Sequence, residues 1–243
     1  MIFIWLIKNE RKLMIPKVIH YCWFGKNKMP PKTQKYIESW KKKCPDYEIF
    51  LWDESNFDVN LNNYTKSAYD AKKWAFVSDV ARLYALKHYG GVYLDTDVEL
   101  LENFDSFLEC NAFIGTERLK DDGSAQLSTA TIGSVKDGEW VSKMLSDYEE
   151  REFVKEDNSL DLTPNTKTLT KLTFGNNSIL DEKIMRTDII VWPSDYFSPK
   201  NFFDSRLNLT QNTVAVHHFE GGWIPASIKL RIIVRRFIQR YFR

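Results

Sequence analysis

Short apolar runs bounded by turn-forming residues alternate with longer stretches of helical period along this chain. Lys17–Trp23 (KVIHYCW) lies behind Pro16 and before Gly25 and predicts a buried strand. Pro30–Pro31 open a polar, helix-compatible stretch over Lys32–Lys43, closed by Cys44–Pro45, and Tyr47–Trp52 (YEIFLW) predicts a second strand. Strand, helix and strand at this spacing begin a βαβ unit and hence a parallel sheet covered by helices. In Lys72–Leu101, Trp74, Val77, Ala81, Tyr84, Ala85 and His88 recur at helical spacing until Gly90–Gly91 stop the helix. Val92–Leu94 then predicts a strand with Asp95-Thr96-Asp97 at its end. Ala112–Thr116, Ala130–Gly133, Ile189–Trp192 and Val214–His218 predict further strands. Gly138–Arg151 predicts a helix with Trp140, Met144, Leu145 and Tyr148 on one face, whereas residues 155–182 are polar and ambiguous.

Composition narrows the class. At 243 residues the chain suits one domain, and 43% hydrophobic residues are ample for its core. A net charge of +1 argues against a general nucleic-acid binder, which would be markedly basic. The balance is uneven: Lys229, Arg231, Arg235, Arg236, Arg240 and Arg243 fall in a C-terminal tail without acids, so the body is mildly acidic. Cys22, Cys44 and Cys110 have no metal-ligand spacing and cannot all pair, which fits a reducing, cytoplasmic setting. The opening MIFIWLI is far shorter than the ~20 residues of a spanning helix, and no cleavage site follows it. Residues 1–13 are expected to be an extension outside the domain, with Met14 a candidate start.

Asp95 and Asp97 carry the strongest chemical signal. Two carboxylates so close at a strand end repel one another unless a cation lies between them, and Asp oxygens suit Mn²⁺ or Mg²⁺. Such an ion can bridge two phosphates and stabilise charge on a leaving diphosphate. In open α/β sheets ligands gather outside the carboxyl ends of strands, where this pair should lie. Asp79 and Arg82 share a face of the preceding helix. The Arg can hold a carboxylate or a diphosphate and the Asp can accept sugar hydroxyls, although an ordinary surface ion pair has the same spacing.

The segment SDVARLYALKHYGGVYLDTDVEL resembles the signature of the DXD-containing glycosyltransferases of family 32, which include capsular-polysaccharide sugar transferases and initiating α-mannosyltransferases. It is more distantly similar to the glucosyltransferase domains of clostridial toxins. IPKVIHYCWFG resembles the opening strand of that family and VHHFEGGW its closing motif, so the resemblance spans residues 15–223. It implies a GT-A fold, a single Rossmann-like α/β domain with a central mixed sheet over residues 14–226, and transfer with retention of configuration. It implies a nucleotide-sugar donor, a UDP-sugar ahead of a GDP-sugar, and a saccharide or lipid-linked acceptor in bacterial surface polysaccharide synthesis. Trp23 would stack on the base, and Asp79 and Arg82 would hold the donor sugar and its adjacent phosphate. Asp95 would contact the ribose or donor and reach the metal partly through water, and Asp97 would ligate it directly. Trp223 would cap the diphosphate from a loop flanked by Gly221 and Gly222. Thr163-Pro164-Asn165 is the nearest match to the family's TGP-type stretch but lacks the Gly, which leaves the acceptor side unmapped.

Alternation puts His217 and His218 on opposite faces of their strand, so at most one faces the ion. The H-x-x-G pattern of related enzymes points to His218 as the third metal ligand. In the tail, Leu230, Ile233, Val234, Phe237, Ile238 and Tyr241 form an apolar stripe opposite Lys229, Arg236, Arg240 and Arg243. Residues 227–243 are thus expected to bind an anionic membrane surface as a basic amphipathic helix and to hold the enzyme at the inner face of the plasma membrane. The rival role for that helix is packing its stripe on the domain. Two rival functions remain: a haloacid-dehalogenase-like phosphatase using Asp95-Thr96-Asp97-Val98, and a non-catalytic membrane-associated nucleotide-sugar binder.

Overall fold

The computed structural model describes residues 14–119, 122–202 and 205–220. Strands β1 (Val18–Cys22), β2 (Glu48–Trp52) and β3 (Gly91–Leu94) run parallel, with β1 between the other two. The sheet continues antiparallel through β6 (Ser124–Ser134) to β5 (Ala112–Arg118). It then takes up β9 (Ile190–Trp192) parallel to β5, and β8 (Ile184–Met185) at the far edge; β7 (Ile179–Leu180) pairs with β6. A separate two-stranded sheet joins β4 (Val98–Leu100) to β10 (Ala215–His217). The expected central mixed α/β sheet is therefore observed.

Helices α2 (Asn63–Asp70), α3 (Trp74–Tyr89), α4 (Glu139–Glu150) and α5 (Asn165–Phe174) cover one face of the sheet. The other face carries α1 (Pro31–Lys43), α6 (Ser194–Phe197) and the β4–β10 sheet. Alternation along β3 divides its side chains between the two cores: Tyr93 points to the first, Val92 and Leu94 to the second. Trp40 of α1 is fully buried and donates its indole N–H to Val98 O at 2.8 Å, which ties α1 to β4.

Three departures from the sequence pattern matter. Helix α3 is buried nearly all round rather than on one face, because α2 and α4 pack against its outer side. Helix α2, short and mostly polar, was not expected; its N-terminus is capped by Asn62 Oδ1, which accepts Thr65 N–H at 2.8 Å. The ambiguous residues 155–182 contain α5 and β7. The Gly90–Gly91 stop is also more than a helix end. Gly90 and Gly91 have φ of 68° and 109°, and a Cβ on Gly91 would come within 2.6 Å of Val18 O. Glycine there lets the chain leave α3 and enter β3 directly against β1. Among the described residues no helix is long and apolar enough to cross a membrane. Trp223 and the tail 227–243 lie outside the described residues, as do residues 1–13.

Candidate active site

The site forms where β3 ends. Asp95 follows Leu94, and its backbone N–H bonds to Ala130 O on β6 at 2.9 Å. A tight turn, closed by Val98 N–H to Asp95 O at 3.0 Å, reverses the chain into β4. Strand β10 then pairs antiparallel with β4, with His217 opposite Val98. This register brings His217 Nε2 to 3.4 Å from Asp97 Oδ1. One ligand atom from each of Asp95, Asp97 and His217 lies within 4.8 Å of the others.

The expectation that His218 joins the two aspartates is corrected here: the register turns His217 toward them. His218 points the other way, its ring stacked on Tyr36 at 4.7 Å and its Nε2 2.8 Å from Glu99 Oε2. Alternation excludes both histidines from one face but leaves the phase open, and a slip of one residue exchanges them. No local feature of the sequence sets that phase.

Asp97 is well restrained. Its Oδ2 accepts the Glu220 backbone N–H at 2.8 Å, and its backbone O accepts the His218 N–H at 2.9 Å. Burial alone would raise its pKa. The charge and hydrogen bond of His217, with the Glu220 N–H, outweigh burial and hold the carboxyl below its usual range. Conversely, burial would lower His217, but Asp97, then Asp95 and Glu117, raise it. Each group thus favours the charged form of the other. Among the described residues His217 Nδ1 is buried with no hydrogen-bond partner.

Asp79 and Arg82 are not a surface pair. Their side chains are 10% and 5% exposed, and Arg82 Nη2 lies 2.9 Å from Asp79 Oδ1. Arg82 Nη1 reaches Asp95 Oδ1 at 3.3 Å and donates to Thr129 O at 2.7 Å. Its Nε donates to Ser78 O at 3.2 Å, and its guanidinium lies over the Tyr93 ring at 4.6 Å. Arg82 thus joins α3, β6 and the DXD turn. Burial raises the Asp79 pKa and the Arg82 charge opposes the rise. Asn165, at the start of α5, donates to Asp79 Oδ1 at 2.6 Å and accepts from Thr129 Oγ1 at 2.8 Å.

Sequence reasoning missed Asn165, Thr129 and Tyr93, whose hydroxyl donates to Asp95 Oδ1 at 2.9 Å. Of these, only Asn165 left a trace, in the Thr163-Pro164-Asn165 stretch. Trp23 follows the last residue of β1 and is half-buried. Its backbone N–H bonds to Trp52 O at 2.9 Å and its indole N–H to Asn27 O at 2.7 Å. Among the described residues it belongs to neither hydrophobic core.

The sequence matches a known family over its central part. Residues 30–114 match the family model for the glycosyltransferase sugar-binding region containing DXD motif. Over residues 30–114 the chain is therefore similar to the DXD-containing glycosyltransferases, and its central mixed α/β sheet is the fold expected for them. The chain is 26% identical over 199 residues to an uncharacterized glycosyltransferase of Acanthamoeba polyphaga mimivirus, covering 79% of this chain and 76% of that one. It is 32% identical over 123 residues to inositol phosphoceramide mannosyltransferase 3 of Schizosaccharomyces pombe. That match covers 44% of this chain but only 31% of the fission-yeast protein. Among solved structures, the PaToxG glycosyltransferase superposes with a TM-score of 0.52 at 22% identity, over 66% of this chain and 69% of that one.

Proposed function

We propose that this glycosyltransferase is metal-dependent and moves a hexose from a nucleoside-diphosphate sugar to a saccharide or lipid-linked acceptor, with retention of configuration. The observation that carries the proposal is the convergence of Asp95, Asp97 and His217 at the carboxyl end of β3. Two carboxylates and one imidazole make a donor set that fits Mn²⁺ or Mg²⁺, with further positions open to phosphate oxygens. When bound, the ion would supply positive charge against the leaving diphosphate.

The chain's own groups do the rest. Asp97 and His217 would face the ion, and Asp95, steadied by Tyr93 and Arg82, would face the ion or the donor. Asp79, held by Asn165 and Arg82, would accept hydrogen bonds from donor-sugar hydroxyls. Retention needs no protein nucleophile. The acceptor oxygen bonds the anomeric carbon on the face from which the diphosphate departs, and a leaving phosphate oxygen takes the acceptor's proton. The name of the yeast relative describes mannosyl transfer involving an inositol phosphoceramide, which supports a lipid-linked acceptor here. The basic amphipathic pattern of residues 227–243 supports the same acceptor class, with the enzyme at the inner face of a membrane, and Trp223 is assigned to closing over the diphosphate. A role in bacterial surface polysaccharide synthesis belongs to this proposal. No observation favours phosphatase chemistry.

The first test is a thermal-shift screen of UDP- and GDP-sugars with Mn²⁺. A ligand at ~1,000 times its dissociation constant stabilises the native state by about 4 kcal/mol. Transfer should then follow with a matching acceptor. Binding without turnover across a broad acceptor panel would leave a non-catalytic nucleotide-sugar binder.

The same site sets a pH dependence. His217 must lose its proton to ligate a metal, and Asp97 holds that proton on above the usual histidine range. Mn²⁺ affinity should therefore rise with pH through and beyond that range, measured by calorimetry between pH 6 and 9. Affinity that is flat across the range would remove His217 from the ligand set.

Trp23→Ala should weaken binding of a nucleoside diphosphate and of the sugar nucleotide equally, by about 1–3 kcal/mol, the usual scale of base–aromatic stacking. A variant that fails to fold would show that the ring is structural after all.

A further inference from the structure

We propose that Tyr36 and Lys32, on α1, are positioning residues for Asp97 and act on it through Glu220. This rests on the reading of Asp95, Asp97 and His217 as a divalent-cation site.

Asp97 owes its orientation to the chain segment 217–220. One carboxylate oxygen faces His217, the other accepts the Glu220 N–H at 2.8 Å, and its backbone O accepts the His218 N–H at 2.9 Å. Strand β10 ends at His217, and among the described residues the His218 N–H bond to Asp97 O is the last backbone bond that continues its pairing. Phe219 has a φ of 54°, a left-handed conformation that a bulky residue adopts only when its surroundings impose it.

Lys200 Nζ donates to His218 O at 2.9 Å and Phe219 packs on Phe202 and His217, while α1 restrains Glu220. Lys32 and Tyr36 are four residues apart and share one face of that helix. Lys32 Nζ pairs with Glu220 Oε1, and the Tyr36 hydroxyl donates to the same oxygen at 3.1 Å. The Tyr36 ring also stacks on His218 at 4.7 Å. Tyr36 is only 5% exposed, so its ring and hydroxyl are fixed by packing rather than free to wander. Helix α1 is itself anchored beside the site: besides the Trp40 bond to Val98 O, Ser39 Oγ accepts the Leu100 N–H at 3.0 Å. A path of contacts thus runs from α1 through the Glu220 side chain to the Glu220 backbone N–H, and from there to Asp97 Oδ2. Removing the Tyr36 hydroxyl leaves the ligand set intact but loosens the turn that aims it.

The experiment is a Mn²⁺ titration of the full chain, with free Mn²⁺ read by electron paramagnetic resonance. Tyr36→Phe keeps the stacked ring and removes only the hydroxyl. It should raise the Mn²⁺ dissociation constant about 3–10-fold, the scale of one net hydrogen bond. Glu220→Gln keeps the backbone N–H but weakens the clasp, and should act in the same direction. The double variant should be no worse than the more severe single one, because both cut the same path. In transfer assays the loss should lie in the Mn²⁺ requirement and be restored by excess metal. A melting curve in EDTA close to that of the parent would show that the fold is not at issue. Unchanged Mn²⁺ affinity in Tyr36→Phe, or fully additive effects in the double variant, would overturn the positioning role while leaving the metal site in place. A parent protein that binds no Mn²⁺ would overturn both.

Discussion

Asp97→Ala is expected to lower sugar transfer on the order of 10²–10³-fold or more, the scale on which enzymes lose a preorganised electrostatic contact to developing charge. The loss should not be a folding defect. Asp97 sits at a turn, its side chain 18% exposed, and contributes no apolar packing. Its removal strands His217, but an imidazole freed from a neighbouring carboxylate sheds its proton and becomes neutral in a buried site. The fold should therefore keep its melting temperature in EDTA to within a few degrees. Stabilisation by Mn²⁺ should disappear in the variant. EDTA should silence the parent to the level of Asp97→Ala, and Mn²⁺ should restore the parent alone. A parent that transfers sugar equally well after exhaustive chelation would refute the assignment of the site.

Much of this site was legible because its residues sit at strand and helix ends that punctuation marks out. Gly90–Gly91 end α3, β3 is short and wholly buried, and Asp95 and Asp97 follow it at once. Asp79 and Arg82 were legible as a pair because the helical period puts them on one face. What the local pattern withheld is long-range. The phase of β10 depends on its pairing with β4, more than a hundred residues earlier, so His218 was preferred where His217 faces the aspartates. Asn165 reaches Asp79 across 86 positions from a polar stretch with weak helical signal. The depth of Arg82 was invisible for a related reason: α3 reads as amphipathic until α2, itself unsignalled, and α4 cover its outer side. Nothing in the single sequence distinguishes a solvated Asp–Arg pair from a buried one.

That depth gives Arg82→Met the largest expected effect on stability. The guanidinium joins Asp79, Asp95, Thr129 O and Ser78 O while 5% exposed. Breaking a buried pair by removing one partner typically costs about 3–5 kcal/mol, because the remaining charge is left without compensation. Asp79 has Asn165 as its other partner, and one amide hydrogen bond cannot replace a guanidinium. Burial would then act on the Asp79 carboxyl without its main opposing charge and favour its protonated form. Urea unfolding at neutral pH should show the loss, and transfer should fall with it because Asp95 loses its anchor. The double variant Asp79→Asn/Arg82→Met supplies the control. With the Asp79 charge removed, it should recover part of the stability lost in Arg82→Met, while transfer stays low because Asp95 still lacks its arginine. If the double variant is no more stable than Arg82→Met, the cost comes from the lost guanidinium contact with the Tyr93 ring or with Asp95 rather than from the Asp79 carboxylate.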